Sequence, residues 1–227
     1  EDVIGLFPKA KSAYTYKDAL GEEIVYAKRQ SLQFPPDTRV LINRYSASAS
    51  EMTAAALADQ KAAILYGERT YGKGTMQSFY ELSDGSYLKL TMAQFAGPIE
   101  TAINEVGVKP HIETKEDALH KAHADAIIEQ YSQYKEYPSL NNVPVTKTFT
   151  VNFKGTVGTV PDDAIELVQL GKNKIDIAIK KQGATLLVTP TQPLVSGEQY
   201  MLLIHPKIKG LANNVLRKGS YLYITVK

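Results

Sequence analysis

The spacing of hydrophobic and polar positions along this 227-residue chain changes character twice. Residues 10–16 and 23–29 alternate between apolar and polar, and Asp18-Ala19-Leu20-Gly21 supplies turn chemistry between them, so a β-hairpin is predicted. After Pro35-Pro36-Asp37, the run Arg39-Val40-Leu41-Ile42-Asn43 is apolar, β-branched and too short for a helix, and reads as a buried strand. Residues 49–60 are rich in alanine, with Met52 and Leu57, and predict a helix. A strand at 62–66, a loop around Lys73 and a second hairpin (76–82 and 87–95 across Ser83-Asp84-Gly85) follow. Strand, helix and strand in that order predict an α/β core with antiparallel additions.

From 116 to 135 the period becomes helical. Leu119, Ala122, Ala126, Ile127, Gln130, Tyr131 and Tyr134 fall near one face. Tyr137-Pro138-Ser139-Leu140-Asn141-Asn142-Val143-Pro144 is loop-like and marks the expected domain boundary. Beyond it, residues 148–153, 165–168, 174–179, 185–188, 200–204 and 221–226 read as short strands between turns, the pattern of a β-sandwich. The expected organisation is a core over 1–115, a helix and linker over 116–144, and a sandwich over 145–227.

Composition narrows the function classes. Lysine and arginine number 26 against 24 acidic residues, a net charge of +2, and no basic stripe stands out in the sequence, which argues against nucleic acid. Hydrophobic residues make up 44% but lie in runs far shorter than the ~20 residues of a membrane helix. The absence of cysteine excludes disulfides and thiolate chemistry.

The candidate chemistry lies in Ser46-Ala47-Ser48-Ala49-Ser50-Glu51 and Gly72-Lys73-Gly74-Thr75-Met76-Gln77. Ser48 sits on a strand-to-helix turn, which exposes its hydroxyl and aims the first free N–H groups of the helix at an oxyanion beside it. The Ser48–Glu51 spacing is equally that of a capping box, the commoner role of such a pair. Lys73 lies between two glycines that could bring it close to a neighbour. An amine serves as a base near neutral pH only when its pKa falls from about 10.4, as burial against apolar walls achieves. Gln77 could hold that amine without adding charge. Two weaker signals have blander readings. His120 and His123 with Asp117 suit a metal less well than a solvated helix edge. Tyr200, Tyr221 and Tyr223 suit strand packing better than a sugar platform.

Residues 39–112 resemble the catalytic core of the carboxyl-terminal processing (tail-specific) serine proteases. The motifs that carry the resemblance are V-L-I-N-R-Y-S-A-S-A-S-E, A-A-L-A-D-Q-K-A-A-I-L-Y-G-E-R-T-Y-G-K-G-T-M-Q, L-S-D-G-S-Y-L-K-L-T and I-N-E-V-G-V-K-P-H-I. The resemblance implies Ser48 as nucleophile, Lys73 as general base, Gln77 as the residue orienting that lysine, and the Ala49 backbone N–H as an oxyanion donor. It gives Asp59 a structural role and makes Ser46 and Ser50 spacers. It also implies a core related to the Clp protease and crotonase folds, protein or peptide substrates, and no metal or organic cofactor. In the family a PDZ-like domain and an Asp-Leu-Arg-x-Asn-x-Gly-Gly-type segment come first, and the glycines of that segment supply a second oxyanion donor. Neither is found in this sequence, so a carboxyl-terminal share of such an enzyme is expected. Loss of one such donor costs about 100- to 1,000-fold in turnover. Missing sheet neighbours would leave an edge open to homo-oligomerisation.

The segments V-T-P-T-Q-P-L-V-S-G-E-Q-Y-M-L-L-I and I-K-G-L-A-N-N-V-L resemble a bacterial Ig-like domain of cell-surface proteins. This implies an extracytoplasmic, envelope-associated chain that contacts wall polymer or another surface protein. A binding or scaffolding module with an inactive protease-like portion is the competing reading.

Overall fold

The computed structural model describes residues 1–99, 101–114, 117–212 and 214–227. The chain divides into two compact units, Glu1–Ala118 and Leu119–Lys227. The fold is mixed α/β and mostly sheet.

In the first unit β1 (Ser12–Lys17) and β2 (Glu22–Tyr26) form the expected antiparallel hairpin. The Asp18 carboxylate closes its turn by accepting from the N–H groups of Leu20 and Gly21 at 2.8 and 3.1 Å. Then come β3 (Arg39–Ile42), α1 (Ala49–Asp59), β4 (Ile64–Gly67), β5 (Thr75–Glu81), β6 (Tyr87–Ala96) and β7 (Ile112–Glu113). A parallel sheet runs β3-β4-β7, and an antiparallel one runs β2-β1-β6-β5. Helix α1 joins the two parallel strands β3 and β4, as strand–helix–strand patterning requires.

Alanine dominates α1 because the helix is buried rather than merely helix-prone. Ala54, Ala55, Ala56 and Leu57 are inaccessible and share a core with Ile4, Phe7, Ile42, Leu65, Phe95 and Ile103. The helix ends in a Schellman-type turn in which Lys61 takes a left-handed φ of 50° and the Ala62 N–H returns to the Leu57 carbonyl at 2.8 Å.

The second unit contains α2 (Ala118–Gln130), β8 (Lys135–Glu136), β9 (Leu140–Val143), β10 (Phe149–Asn152), β11 (Ile165–Gln169), β12 (Lys174–Ile175), β13 (Ile177–Gln182), β14 (Thr185–Pro190), β15 (Gln199–Ile204) and β16 (Ser220–Val226). One sheet is ordered β10-β14-β13; the other is ordered β12-β11-β15-β16-β8, with β9 also pairing β16. Phe149, Leu186 and Val188 from the first sheet share a core with Ile165, Leu167, Tyr200, Leu202 and Ile224 from the second. The opposite face of the larger sheet is covered by α2, through Ala124, Ile127 and Ile128 against Val168, Met201, Leu203 and Tyr221. That double coverage explains why Tyr200-Met201-Leu202-Leu203 is apolar at every position rather than alternating.

Several expectations need correcting. The stretch 137–144, read as a loop, contains β9, which runs parallel to β16. The compact division falls at Ala118/Leu119, because α2, β8 and β9 all pack on the second unit's larger sheet, so residues 119–144 are part of that unit rather than a linker. The single strand expected over 174–179 is broken at Asp176, where the chain passes from one sheet to the other and the Asp176 carbonyl accepts from the Thr191 N–H at 3.0 Å. The helix expected over 116–135 ends at Gln130; Lys115 and Glu116 lie outside the described residues.

Candidate active site

Ser48 stands at the N-terminus of α1 with φ 56° and ψ −118°, a conformation that costs a non-glycine residue about 1–3 kcal/mol. The turn before it is fixed by its own side chains. The Ser46 N–H donates to the Asn43 carbonyl (2.9 Å), the Asn43 N–H to Ser46 Oγ (3.2 Å) and the Tyr45 N–H to Asn43 Oδ1 (2.9 Å). Ser46 thus closes the turn by hydrogen bonding, more than as a spacer.

Glu51 organises the site. It is fully buried, at 0% exposure, and its carboxylate accepts four donors. Oε1 receives the Thr70 hydroxyl at 2.5 Å and the Gly72 N–H at 2.6 Å. Oε2 receives the Ser48 N–H at 2.9 Å and the Lys73 N–H at 2.8 Å. The Ser48 and Lys73 backbone nitrogens therefore share one oxygen and lie no more than 5.7 Å apart, the two bonds laid end to end. The reach-back to Ser48 is the bond expected of a capping box, but the other three donors come from the segment 70–73. A carboxylate holding four donors is a hub, and sequence spacing shows only one spoke.

The glycines around Lys73 are there for fit rather than mobility. Gly72 has φ +96°, and a Cβ on Gly74 would stand 2.5 Å from the Asn104 backbone nitrogen. The Glu105 N–H donates to the Gly72 carbonyl (2.8 Å) and the Phe95 N–H to the Gly74 carbonyl (2.8 Å), so the loop is clamped on both sides. Thr70 completes the clamp, since its hydroxyl accepts from the Val108 N–H at 2.6 Å while donating to Glu51.

Each expected site residue has a definite place. The Ala49 N–H meets no acceptor among the described residues, and Ala49 is exposed. Lys73 is exposed, against the expectation of burial against apolar walls, and its amine has no ion-pair partner among the described residues. The Gln77 side chain is turned to the Thr75 hydroxyl, to which its Nε2 donates at 2.9 Å, rather than toward the Lys73 amine. Asp59 accepts from the Ile99 N–H (3.2 Å) and the Thr101 hydroxyl (2.5 Å), tying down the turn after β6.

The weaker signals resolve to packing. His123 Nδ1 accepts from the Gly171 N–H at 2.9 Å and His120 Nε2 lies 3.7 Å from Glu198, so this helix edge is packed rather than solvated. Among the described residues no cluster of His, Cys, Asp or Glu could hold a metal. Tyr200 is 1% exposed between the sheets, where its hydroxyl accepts from the Val195 N–H, whereas Tyr221 and Tyr223 pack edge to face on the helix-covered side. The three tyrosines share no surface. No helix among the described residues is long and apolar enough to cross a membrane.

Comparison with known proteins bears chiefly on the first unit, although one alignment is longer than that unit and runs into the second. Residues 2–114 match the model of peptidase family S41. Over 71 residues the chain is 56% identical to carboxyl-terminal-processing peptidase 2, chloroplastic, of Arabidopsis thaliana, covering 31% of this chain and 14% of that protein. Over 145 residues it is 34% identical to a probable CtpA-like serine protease of Staphylococcus aureus (strain N315), covering 63% of this chain and 26% of the relative. A solved photosystem II D1 C-terminal processing protease aligns at 36% identity and a TM-score of 0.48, over 52% of this chain and 31% of that one. The chain thus spans less than a third of the length of each. The amino-terminal unit of this chain therefore carries a peptidase family S41 region, similar in sequence to carboxyl-terminal processing peptidases.

Proposed function

We propose that the chain contributes the nucleophile and base of a serine endopeptidase that cuts proteins near their carboxyl termini. The observation that carries this reading is the Glu51 carboxylate, which joins the backbone of Ser48 to that of Lys73 through one oxygen. Ser48 Oγ attacks the scissile carbonyl carbon while the uncharged Lys73 amine takes the hydroxyl proton. The resulting ammonium returns that proton to the departing amine nitrogen, and the C–N bond breaks to leave an acyl-enzyme ester. Water, deprotonated by the same amine, attacks the ester and releases the new carboxyl terminus together with free Ser48. The unengaged Ala49 N–H faces the developing oxyanion at the positive end of α1. Gln77 orients the lysine after exchanging its Thr75 partner for it. Lys73 is open to water in the free chain, so a substrate laid across it supplies the desolvation that favours the uncharged amine.

The test is covalent trapping in the natural protein. A fluorophosphonate should label Ser48, as located by peptide mass spectrometry, and labelling should vanish in Ser48→Ala and fall steeply in Lys73→Met. Label on another serine, or undiminished labelling of Lys73→Met, refutes the assignment.

The second unit supports a second role. Its two-sheet architecture, with the turn and strand motifs quoted above, favours a bacterial Ig-like module that contacts the cell envelope and places the peptidase outside the cytoplasm. Retention of the chain on isolated cell-wall material tests this, and failure to bind across a range of salt concentrations removes it.

A further inference from the structure

Five cationic side chains far apart in sequence meet at one groove of the second unit. Lys135 comes from β8, Lys154 from the turn after β10, Lys209 from the segment after β15, and Arg217 and Lys218 from the approach to β16. The groove has a volume of about 730 Å³, and no aspartate or glutamate lines it among the described residues. None of the five cations is in an ion pair among the described residues, and all are exposed. Outside the groove Lys147, Lys180, Lys181 and Lys227 also have no ion-pair partner among the described residues, so what sets the groove apart is the convergence of its cations without carboxylates, unlike the paired lysines of the same unit. Lys172, Lys174 and Lys207 pair with Glu198, Glu166 and Asp163. Five like charges held around one concavity repel one another and raise the local concentration of anions. A chain with a net charge of only +2 has spent its positive charge unevenly.

The chemistry of the lining narrows the ligand. Four of the five cations are lysines, point charges that attract successive anionic groups without the planar two-pronged geometry through which arginine fixes carboxylate or phosphate. Gly155 leaves the backbone bare at one wall, with nothing within 4 Å of where a Cβ would stand, which allows close approach of a ligand there. Nucleic acid would require aromatic platforms for its bases. Of the two aromatic residues of the groove, Phe153 packs against the core between the sheets, and the Lys135 ammonium already stands over the Tyr137 ring, 4.7 Å from its centre. The distribution around a concavity, instead of on one protruding face, favours a strand that enters the groove over a flat anionic membrane.

We infer that this groove binds a linear poly(alditol phosphate), a phosphodiester polymer without bases, of the kind found in bacterial envelopes. The inference sharpens the envelope-contact role proposed for this unit and is independent of the peptidase assignment. The polymer lies along the groove with successive phosphates beside Lys154, Lys209, Arg217 and Lys218.

The experiment measures binding of the intact 227-residue chain to fluorescent poly(glycerol phosphate) at several salt concentrations. Single-stranded DNA, poly-glutamate and phosphatidylglycerol vesicles serve as the other arms. Binding of poly(glycerol phosphate) should weaken with salt, since released counterions drive it. Lys209→Glu with Lys218→Glu should weaken it by at least about 30-fold and flatten the salt dependence, each cation beside an anionic surface counting for about five-fold. Lys180→Glu with Lys227→Glu carries the same charge change at exposed sites outside the groove and should leave binding within two- to three-fold, roughly the screened long-range effect. Unchanged melting temperatures establish that both variants fold. Equal loss in the two double variants, or preferential binding of DNA, poly-glutamate or vesicles, overturns the inference. Retention on cell-wall material that survives Lys209→Glu with Lys218→Glu would overturn the groove while leaving envelope contact standing.

Discussion

Replacing Glu51 by glutamine changes one atom and should dismantle the organisation of the site. The carboxylate accepts four hydrogen bonds, and an amide cannot. With the new Nε2 in the Oε2 position, the Ser48 and Lys73 N–H groups both face a donor. With it in the Oε1 position, the Gly72 N–H is stranded and the Thr70 hydroxyl must turn its proton elsewhere, although Thr70 already accepts from Val108. A buried donor left without an acceptor costs about 1–3 kcal/mol, and the bonds that survive lose their charge assistance, for a total of about 2–5 kcal/mol. At roughly 3–5 °C per kcal/mol for a unit of this size, the melting temperature of the first unit should fall by about 6–25 °C, unless the 70–74 loop opens locally first. Calorimetry on the natural chain measures the first case, and amide exchange at Gly72 and Lys73 measures the second. A transition unmoved by more than a few degrees, with both amides still protected, would refute the four-donor hub.

Other consequences follow from single positions. Gly74→Ala places a methyl 2.5 Å from the Asn104 backbone nitrogen, so it should cost about 1–3 kcal/mol by chemical denaturation and displace Lys73; an unperturbed chain would show that the loop yields freely. Burial, the leading cause, holds the pKa of His205 below its ordinary 6.5 despite the nearby Glu166, and burial beside His120 does the same for His123. The unfolded chain therefore binds more protons in this range, so the second unit's stability is complete above about pH 6.5 and declines as pH falls toward the folded-state values. Its melting temperature should be lower at pH 5 than at pH 7.5, and His205→Gln should reduce the difference; identical pH dependence in the variant would contradict this. A shortened chain of residues 119–227 should melt cooperatively, whereas residues 145–227 lack α2 and expose Met201 and Leu203. Cooperative monomeric folding of the shorter piece would refute the role given to α2.

Legibility in the sequence followed the range of the forces. Both hairpins of the first unit, α1 and its flanking strands were readable because their signals are local: alternation, turn residues and an alanine run. Glu51 was readable only as a helix cap, because three of its four donors arrive from residues 19 to 22 positions away. The glycines at 72 and 74 suggested mobility, yet a left-handed φ and contact with the 103–107 turn explain them, and neither has a local signature. Strand β9 looked like a loop because Pro138, Asn141, Asn142 and Pro144 are turn formers; its strand character depends on β16, more than 80 residues on. The basic groove was invisible for the same reason, its cations being scattered from residue 135 to 218.

The central claim is that Ser48 and Lys73 act together as nucleophile and base. Its most direct measurement is kcat/KM for cleavage of a carboxyl-terminal peptide by the natural protein and by Ser48→Ala, Lys73→Met and the double variant. Residues acting as one unit are grossly non-additive, so each single variant should lose at least about 1,000-fold and the double variant little more. Lys73→Arg should fail as completely as Lys73→Met, because a guanidinium stays charged and takes no proton from the serine. Cleavage that persists in Ser48→Ala, or single losses that multiply in the double variant, would contradict the dyad.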